Sequence, residues 1–427
     1  MSSNRKLVAL GIPVVLAVTA GVWLVAACKP AATDTAPAAA AAPAVADAAA
    51  IHARSLVLDS HVDILLADTP PQYRDKDGDA HASLAKLKAG GVDAVVLALA
   101  VGPGPRDAAG FKAARAEVDT KFARLQEIVA TSSGAAVLAR SADEIEAAHK
   151  AGQIAIIPGF LNARSLGKNI AGLDEFYAKG VRVLGLTHAG HNDWADSSRP
   201  SGGPVSEHGG LSPLGKQAIT RLNDLGIVVD VSQLTTDGVT QVLAITRVPV
   251  IASHSGVRSL VDNTRNLSDA ELDAIKANGG VVHVPAFNAY LRQLTPEIRT
   301  QVSEVRGKYG LPKEFAVGQS PNDGYPTLPK DKQAEFNDAV KAVVGRASVS
   351  DLVDHVDYIV KRIGIEHVGI GTDFDHGSGI VGFENEADAG NVTAELVKRG
   401  YSEADIQKIW SGNFLRVLRA AEAGRKA

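Results

Sequence analysis

A series of short apolar runs, with helical patterns between them, most narrows what this sequence can fold into. The runs are Leu56–Asp63, Asp93–Val101, Ala135–Leu138, Ile154–Phe160, Val181–His188, Ile227–Gln233, Val248–His254, Gly280–Val284 and His367–Asp373. Many are almost uninterrupted by polar residues, which is the pattern of parallel strands buried on both faces. Between them, Asp107 to Val129 sets Phe111, Ala114, Val118, Phe122 and Leu125 at three- and four-residue steps, predicting a long helix. Ser141 with Glu144 has the spacing of a capping box and predicts another helix start. Strands alternating with helices predict an α/β architecture. About eight core strands in a chain of this length predict a (β/α)8 TIM-like barrel. The regularity breaks over residues 288–348, which are charged and carry Pro and Gly. That segment reads as an insertion near the barrel mouth or as a small surface subdomain.

The 427 residues are 45% hydrophobic and 22% charged, enough for a large core. A net charge of -4 gives no electrostatic footprint for nucleic acid. The single cysteine excludes an internal disulfide framework and is informative by its position. Arg5 and Lys6 precede an apolar run from Leu7 to Ala27, which ends Val25-Ala26-Ala27-Cys28. This resembles a bacterial lipoprotein signal, with a plain transmembrane anchor as the alternative. Residues 29–50 are dominated by Ala, Pro, Thr, Asp and Val and read as a flexible tether. The expected layout is a signal peptide over 1–28, a tether over 29–50 and a folded domain over 51–427. The expected location is a bacterial cell envelope, lipid-anchored and facing the periplasm.

Polar residues recur where the apolar runs end. His61 and Asp63 sit two apart on the first run, so on a strand both side chains face one way. An imidazole and a carboxylate aimed together make a divalent-metal half-site. His188, Gln233, His254 and Asp373 end later runs. In barrels of this type the chemical groups occupy the carboxyl ends of the strands. A lone histidine there is more often structural, but several such ends together point to a site. His191, His208, His283 and His376 are further histidines for which a structural or surface role is expected.

The motifs Asp59-Ser60-His61-Val62-Asp63, Leu186-Thr187-His188, Asn192-Asp193-Trp194-Ala195-Asp196, Gly210-Leu211-Ser212-Pro213-Leu214-Gly215, Ser253-His254-Ser255, Arg265-Asn266 and Gly371-Thr372-Asp373-Phe374-Asp375 carry a further resemblance. The segment Ser350–Asp357 adds to it. The chain resembles the renal-type membrane dipeptidases, peptidase family M19 of the amidohydrolase superfamily. The resemblance implies a metal-dependent dipeptidase in which His61 and Asp63 bind a first metal, with Asp373 as ligand or proton acceptor. It implies that His254 ligates a second metal, that His188 polarises the scissile carbonyl and that Arg265 holds the substrate carboxylate. It also implies a dipeptide or small amide as substrate.

Two positions depart from that pattern. A bridging glutamate is expected in a segment that here reads Leu161-Asn162-Ala163, and a histidine is expected where Gln233 stands. Both losses fall on the second metal. Two cations a few ångströms apart need bridging anions to stay together. The expectation is therefore one divalent ion per chain, zinc by choice of donors, held by His61, Asp63 and Asp373. His254 or the weaker Gln233 would complete the shell. The alternatives are a non-catalytic barrel that binds peptides or small carboxylates, and a relative acting on an ester or lactone. Arg265 speaks against the last, because a neutral substrate has no need of a guanidinium. A homodimer is left open beside a monomer.

Overall fold

The computed structural model describes residues 47–426, apart from 201–203, 316–320, 323 and 325–326. The leader and nearly all of the expected tether lie outside the described residues. The chain is already helical from Ala48 to Arg54, with Asp47 capping Ala50 and Ile51 buried, so the folded part begins slightly before residue 51. Among the described residues no helix is long and apolar enough to cross a membrane.

Among the described residues nine parallel strands form the sheet: β1 (Leu58–Asp63), β2 (Ala94–Ala100), β3 (Ala136–Leu138), β4 (Ile154–Leu161), β5 (Val183–Gly185), β6 (Val228–Asp230), β7 (Ile251–Ala252), β8 (Val281–Val284) and β9 (Val368–Ile370). Hydrogen bonding runs β1-β2-β4-β5-β6-β7-β8-β9. Beyond β9 the chain returns to β1: Asp373 N–H donates to His61 O at 3.0 Å, and Asp63 N–H donates to Phe374 O at 3.0 Å. These contacts nearly close a (β/α)8 barrel. β3 lies off the path because one edge of β4 is shared. Ile154–Ile156 pair with β3 and Gly159–Leu161 pair with β5.

Every residue of β1, β2 and β4 is buried, as the apolar runs require. Alternation on β2 sorts Val95, Leu97 and Leu99 into the main cluster shared with the surrounding helices, while Ala98 and Ala100 pack on Leu161. The long helix spans Ala108–Thr131, started by the Asp107 carboxylate accepting Gly110 N–H. Ala114, Val118 and Leu125 are buried on it, whereas Phe111 and Phe122 are only half-buried. The expected capping box at Ser141 forms by half. Ser141 Oγ accepts Glu144 N–H, but Glu144 reaches past Ser141 to Arg140 N–H at 2.6 Å.

The segment between β8 and β9 folds into helices Pro296–Lys308 and Lys330–Val344. They bury Val302, Val305, Phe336 and Val340 in an apolar cluster separate from the barrel core. It leaves the barrel after β8, and at its root the Tyr290 ring lies 5.2 Å from the Arg265 guanidinium.

Candidate metal centre

Closure of β9 onto β1 brings the motifs of the two chain ends together. Asp59 acts as the tie and is not itself free to bind a ligand. Its Oδ1 accepts His61 N–H at 3.0 Å and Thr372 N–H at 2.9 Å, and its Oδ2 accepts the Thr372 hydroxyl. Gly371 lets the last strand come this close, because a Cβ there would lie 2.0 Å from Ser253 O. Asp373 and Asp375 then adopt left-handed backbone, at φ 59 and 64. Such conformations in non-glycine residues carry strain and cluster at functional sites.

The result is a compact donor set. His61, His254 and Asp373 are all buried and offer ligand atoms within 4.8 Å of one another. The His61 and His254 rings stack at 3.9 Å. His61 Nε2 lies 3.6 Å from Asp63 Oδ1 and 4.0 Å from Asp373 Oδ1. Neither His61 Nε2 nor Asp63 Oδ1 has a hydrogen-bond partner, although both are buried. Buried polar atoms without partners are costly, so two facing each other beside a second carboxylate fit a cation between them. An imidazole with two carboxylates is also a donor set that divalent metals accept.

Electrostatics agree with that crowding of charge. Burial opposes ionisation of Asp63, but His376 and His61 outweigh it and hold Asp63 well below the usual carboxylate range. Burial would lower His61, yet Asp63 and Asp373 outweigh it and raise it. Asp373 is raised, first by burial and then by the Asp63 charge, against the pull of His376 and His61.

The second half of the expected site differs. Leu161 is 2% exposed at the carboxyl end of β4, packed on Ala98 and Ala100, so the place of a bridging carboxylate is apolar. His254 Nδ1 donates to Ser253 Oγ at 2.7 Å, and Ser253 Oγ–H donates to Asp230 Oδ2 at 2.6 Å. This chain fixes the tautomer and leaves Nε2 as the lone pair, the usual support of a ligating histidine. That lone pair is met by Gln233 Nε2 at 3.0 Å, while Gln233 Oε1 is buried without a partner.

His188 follows β5 and is buried, with Nδ1 donating to Val101 O at 3.2 Å. Burial first, then the neighbouring His376, hold it neutral by pushing its pKa well down. In that tautomer Nε2 is an acceptor, so His188 must gain a proton before it can donate to a carbonyl oxygen. This refines the role expected of it. Arg265 is 1% exposed, and its Nη1 and Nη2 donate to Ser232 O and His254 O. Its Nε has no hydrogen-bond partner. A buried guanidinium in this state favours an anion brought by a ligand.

One residue of the site escaped the sequence. His376 Nδ1 lies 3.0 Å from Asp63 Oδ2, and its ring is 4.9 Å from that of His188, so it stands against the donor set and not on the open surface. The only signal was its place three residues after Asp373. The other histidines are structural as expected. His191 Nε2 binds Pro204 O, His208 Nε2 binds Asn192 O, and His283 Nδ1 binds Ala252 O. The motif around Asn192 is scaffold as well. Asn192 Oδ1 accepts Trp194 and Ala195 N–H. Asp196 gathers the N–H groups of Glu207, His208 and Gly210, which hold its pKa at about 2 against burial.

Residues 45–427 match the family model described as membrane dipeptidase, peptidase family M19. The chain is 38% identical to the probable dipeptidase PvdM of Pseudomonas aeruginosa, with a TM-score of 0.78, over 88% of this chain and 98% of that one. It is 30% identical to dipeptidase tcpJ of Claviceps purpurea, over 70% of this chain and 58% of that protein. It is also 30% identical to Dipeptidase 3 of Macaca fascicularis, over 68% of this chain and 49% of that protein. The chain thus spans roughly half the length of these curated relatives.

Proposed function

The chain belongs to the membrane dipeptidase family, peptidase family M19, and on that premise we propose that it is a dipeptidase working with one divalent metal. The carrying observation is the pair of unpartnered buried atoms, His61 Nε2 and Asp63 Oδ1, beside Asp373. These three residues would hold the ion, with zinc the expected occupant and His254 the fourth donor if Gln233 moves aside. A bound divalent ion supplies Lewis acidity and an acidified water.

The protein's own groups do the rest. Arg265 receives the substrate carboxylate through a buried guanidinium whose Nε has no hydrogen-bond partner. Asp373 accepts a proton from the attacking water as the carbonyl carbon becomes tetrahedral, and passes it to the departing amine nitrogen. His188 would stabilise the oxygen on which charge develops through Nε2, with a proton taken up from solvent as that negative charge appears beside it.

We further propose that the protein is exported and lipid-anchored through Cys28, facing the periplasm. That reading rests on Val25-Ala26-Ala27-Cys28 and the tether after it. The Gln233 contact on His254 favours a second reading, a barrel that binds peptides without cleaving them. A panel of dipeptides offered to the metal-loaded chain, with and without chelator, separates the two. Chelator-sensitive release of free amino acids supports the dipeptidase. Binding without any release supports the second reading.

A further inference from the structure

We propose that His376 is a positioning residue that occupies one oxygen of Asp63 and leaves the other aimed at His61 as a one-oxygen ligand for the ion. The inference rests on the single-metal reading above.

The two oxygens of Asp63 have different environments. Oδ2 lies 3.0 Å from His376 Nδ1. Oδ1 faces His61 Nε2 at 3.6 Å and has no hydrogen-bond partner. With Oδ2 facing an imidazole nitrogen, only Oδ1 is left for an ion. Ligating carboxylates are commonly fixed by such outer partners, and losing the partner weakens metal binding by about 10- to 100-fold.

His376 is itself held from three sides. Its ring stacks on Tyr73 at 5.7 Å with an interplanar angle of 18°. Its flank meets His188 at 4.9 Å. Two left-handed residues, Asp373 and Asp375, turn the loop before it back over β1. The side chain is 25% exposed, so it forms part of the wall between the ion ligands and the outside.

The test is a zinc titration of the demetallated full-length chain against a chromophoric chelator, with the melting temperature of each apo form. We expect the wild type to take one ion. His376→Ala should keep that stoichiometry, bind about 10- to 100-fold more weakly and leave the apo melting temperature nearly unchanged. His376→Asn, whose amide N–H can also donate to Asp63, should recover most of the affinity. Wild-type affinity in His376→Ala overturns the proposal, and so does failure of asparagine to restore it. A wild type that takes two ions or none contradicts the single-metal reading and this proposal with it. One ion with an unchanged His376→Ala affinity contradicts this proposal alone.

Discussion

The side-chain amide nitrogen of Gln233 lies 3.0 Å from Nε2 of His254. The imidazole is otherwise prepared as a ligand, because the Ser253–Asp230 chain fixes its other nitrogen. The nitrogen that a second ion would need is instead met by an N–H donor. Leu161 completes the change by removing the anion that would keep two cations together. We expect Leu161→Glu with Gln233→His to raise the metal content from about one to about two per chain, since it restores both donors. Elemental analysis of the purified double variant decides this, and a content unchanged at one would show that the two positions do not set the count. Without metal the same variant should melt lower, because a buried glutamate then stands among Ala98, Ala100 and Asp230.

Arg265 is expected to act in binding. Arg265→Lys keeps the charge and loses the fork, and Arg265→Ala loses both. Each should chiefly raise KM, by about 10- to 100-fold for alanine, since the contact exists in ground and transition states alike. Dipeptides with an amidated carboxyl end should lose this dependence. Equal effects on free and amidated substrates would assign Arg265 to holding Ser232 and His254 in place.

Asp373 and His188 are expected to act in the chemical step. Asp373→Asn should lower kcat by at least about 100-fold, because an amide cannot accept the water's proton. His188→Ala should lower kcat by about 100- to 1,000-fold with a smaller change in KM. Steady-state kinetics on the best dipeptide measure both, and wild-type turnover in Asp373→Asn would remove that residue from the reaction.

Acid stability gives an independent check on the packing. His355 is buried on helix Val349–Ile363, and its Nδ1 accepts Val257 N–H at 2.9 Å. Burial lowers its pKa from 6.5 to about 4. A depressed folded value means that the unfolded chain binds the proton first. The stabilising contribution is complete above 6.5 and is lost as the pH falls towards about 4. Between those values His355→Gln should flatten the fall in unfolding free energy by about 1.4 kcal/mol per pH unit. Urea unfolding at a series of pH values tests this, and parallel curves for the two proteins would contradict it.

Cys28→Ala should abolish lipid-dependent processing and move the protein from the membrane fraction to the soluble one. Fractionation and the mobility of the processed chain read the result. Unchanged processing and distribution would exclude the lipid anchor.

The barrel was legible in the sequence because strands buried on both faces are written as continuous apolar runs. Which run leaves the barrel path was not legible. Ala136–Leu138 is as apolar as its neighbours, and only its pairing along the first half of β4 sets it aside. The grouping of His61, Asp63, His254 and Asp373 was readable because each stands at the end of a run. His376 was not, because a loop turned by two left-handed aspartates has no periodicity from which a side chain's direction can be read. Leu161 and Gln233 stood out only against the pattern of the family that the sequence resembles. That the Gln233 amide would cap His254 depended on two strands meeting in space. The insertion disclosed its length and polarity, but its apolar cluster of Val302, Phe336 and Val340 emerges only when its helices pair.

A dipeptidase with a single ion per chain should reveal that stoichiometry in its activity. Zinc is added stepwise to the demetallated chain while dipeptide hydrolysis is followed. We expect activity to rise linearly and to level off at about one equivalent, the capacity of one complete site. A rise that continues to two equivalents, or no hydrolysis at any loading, would contradict the account.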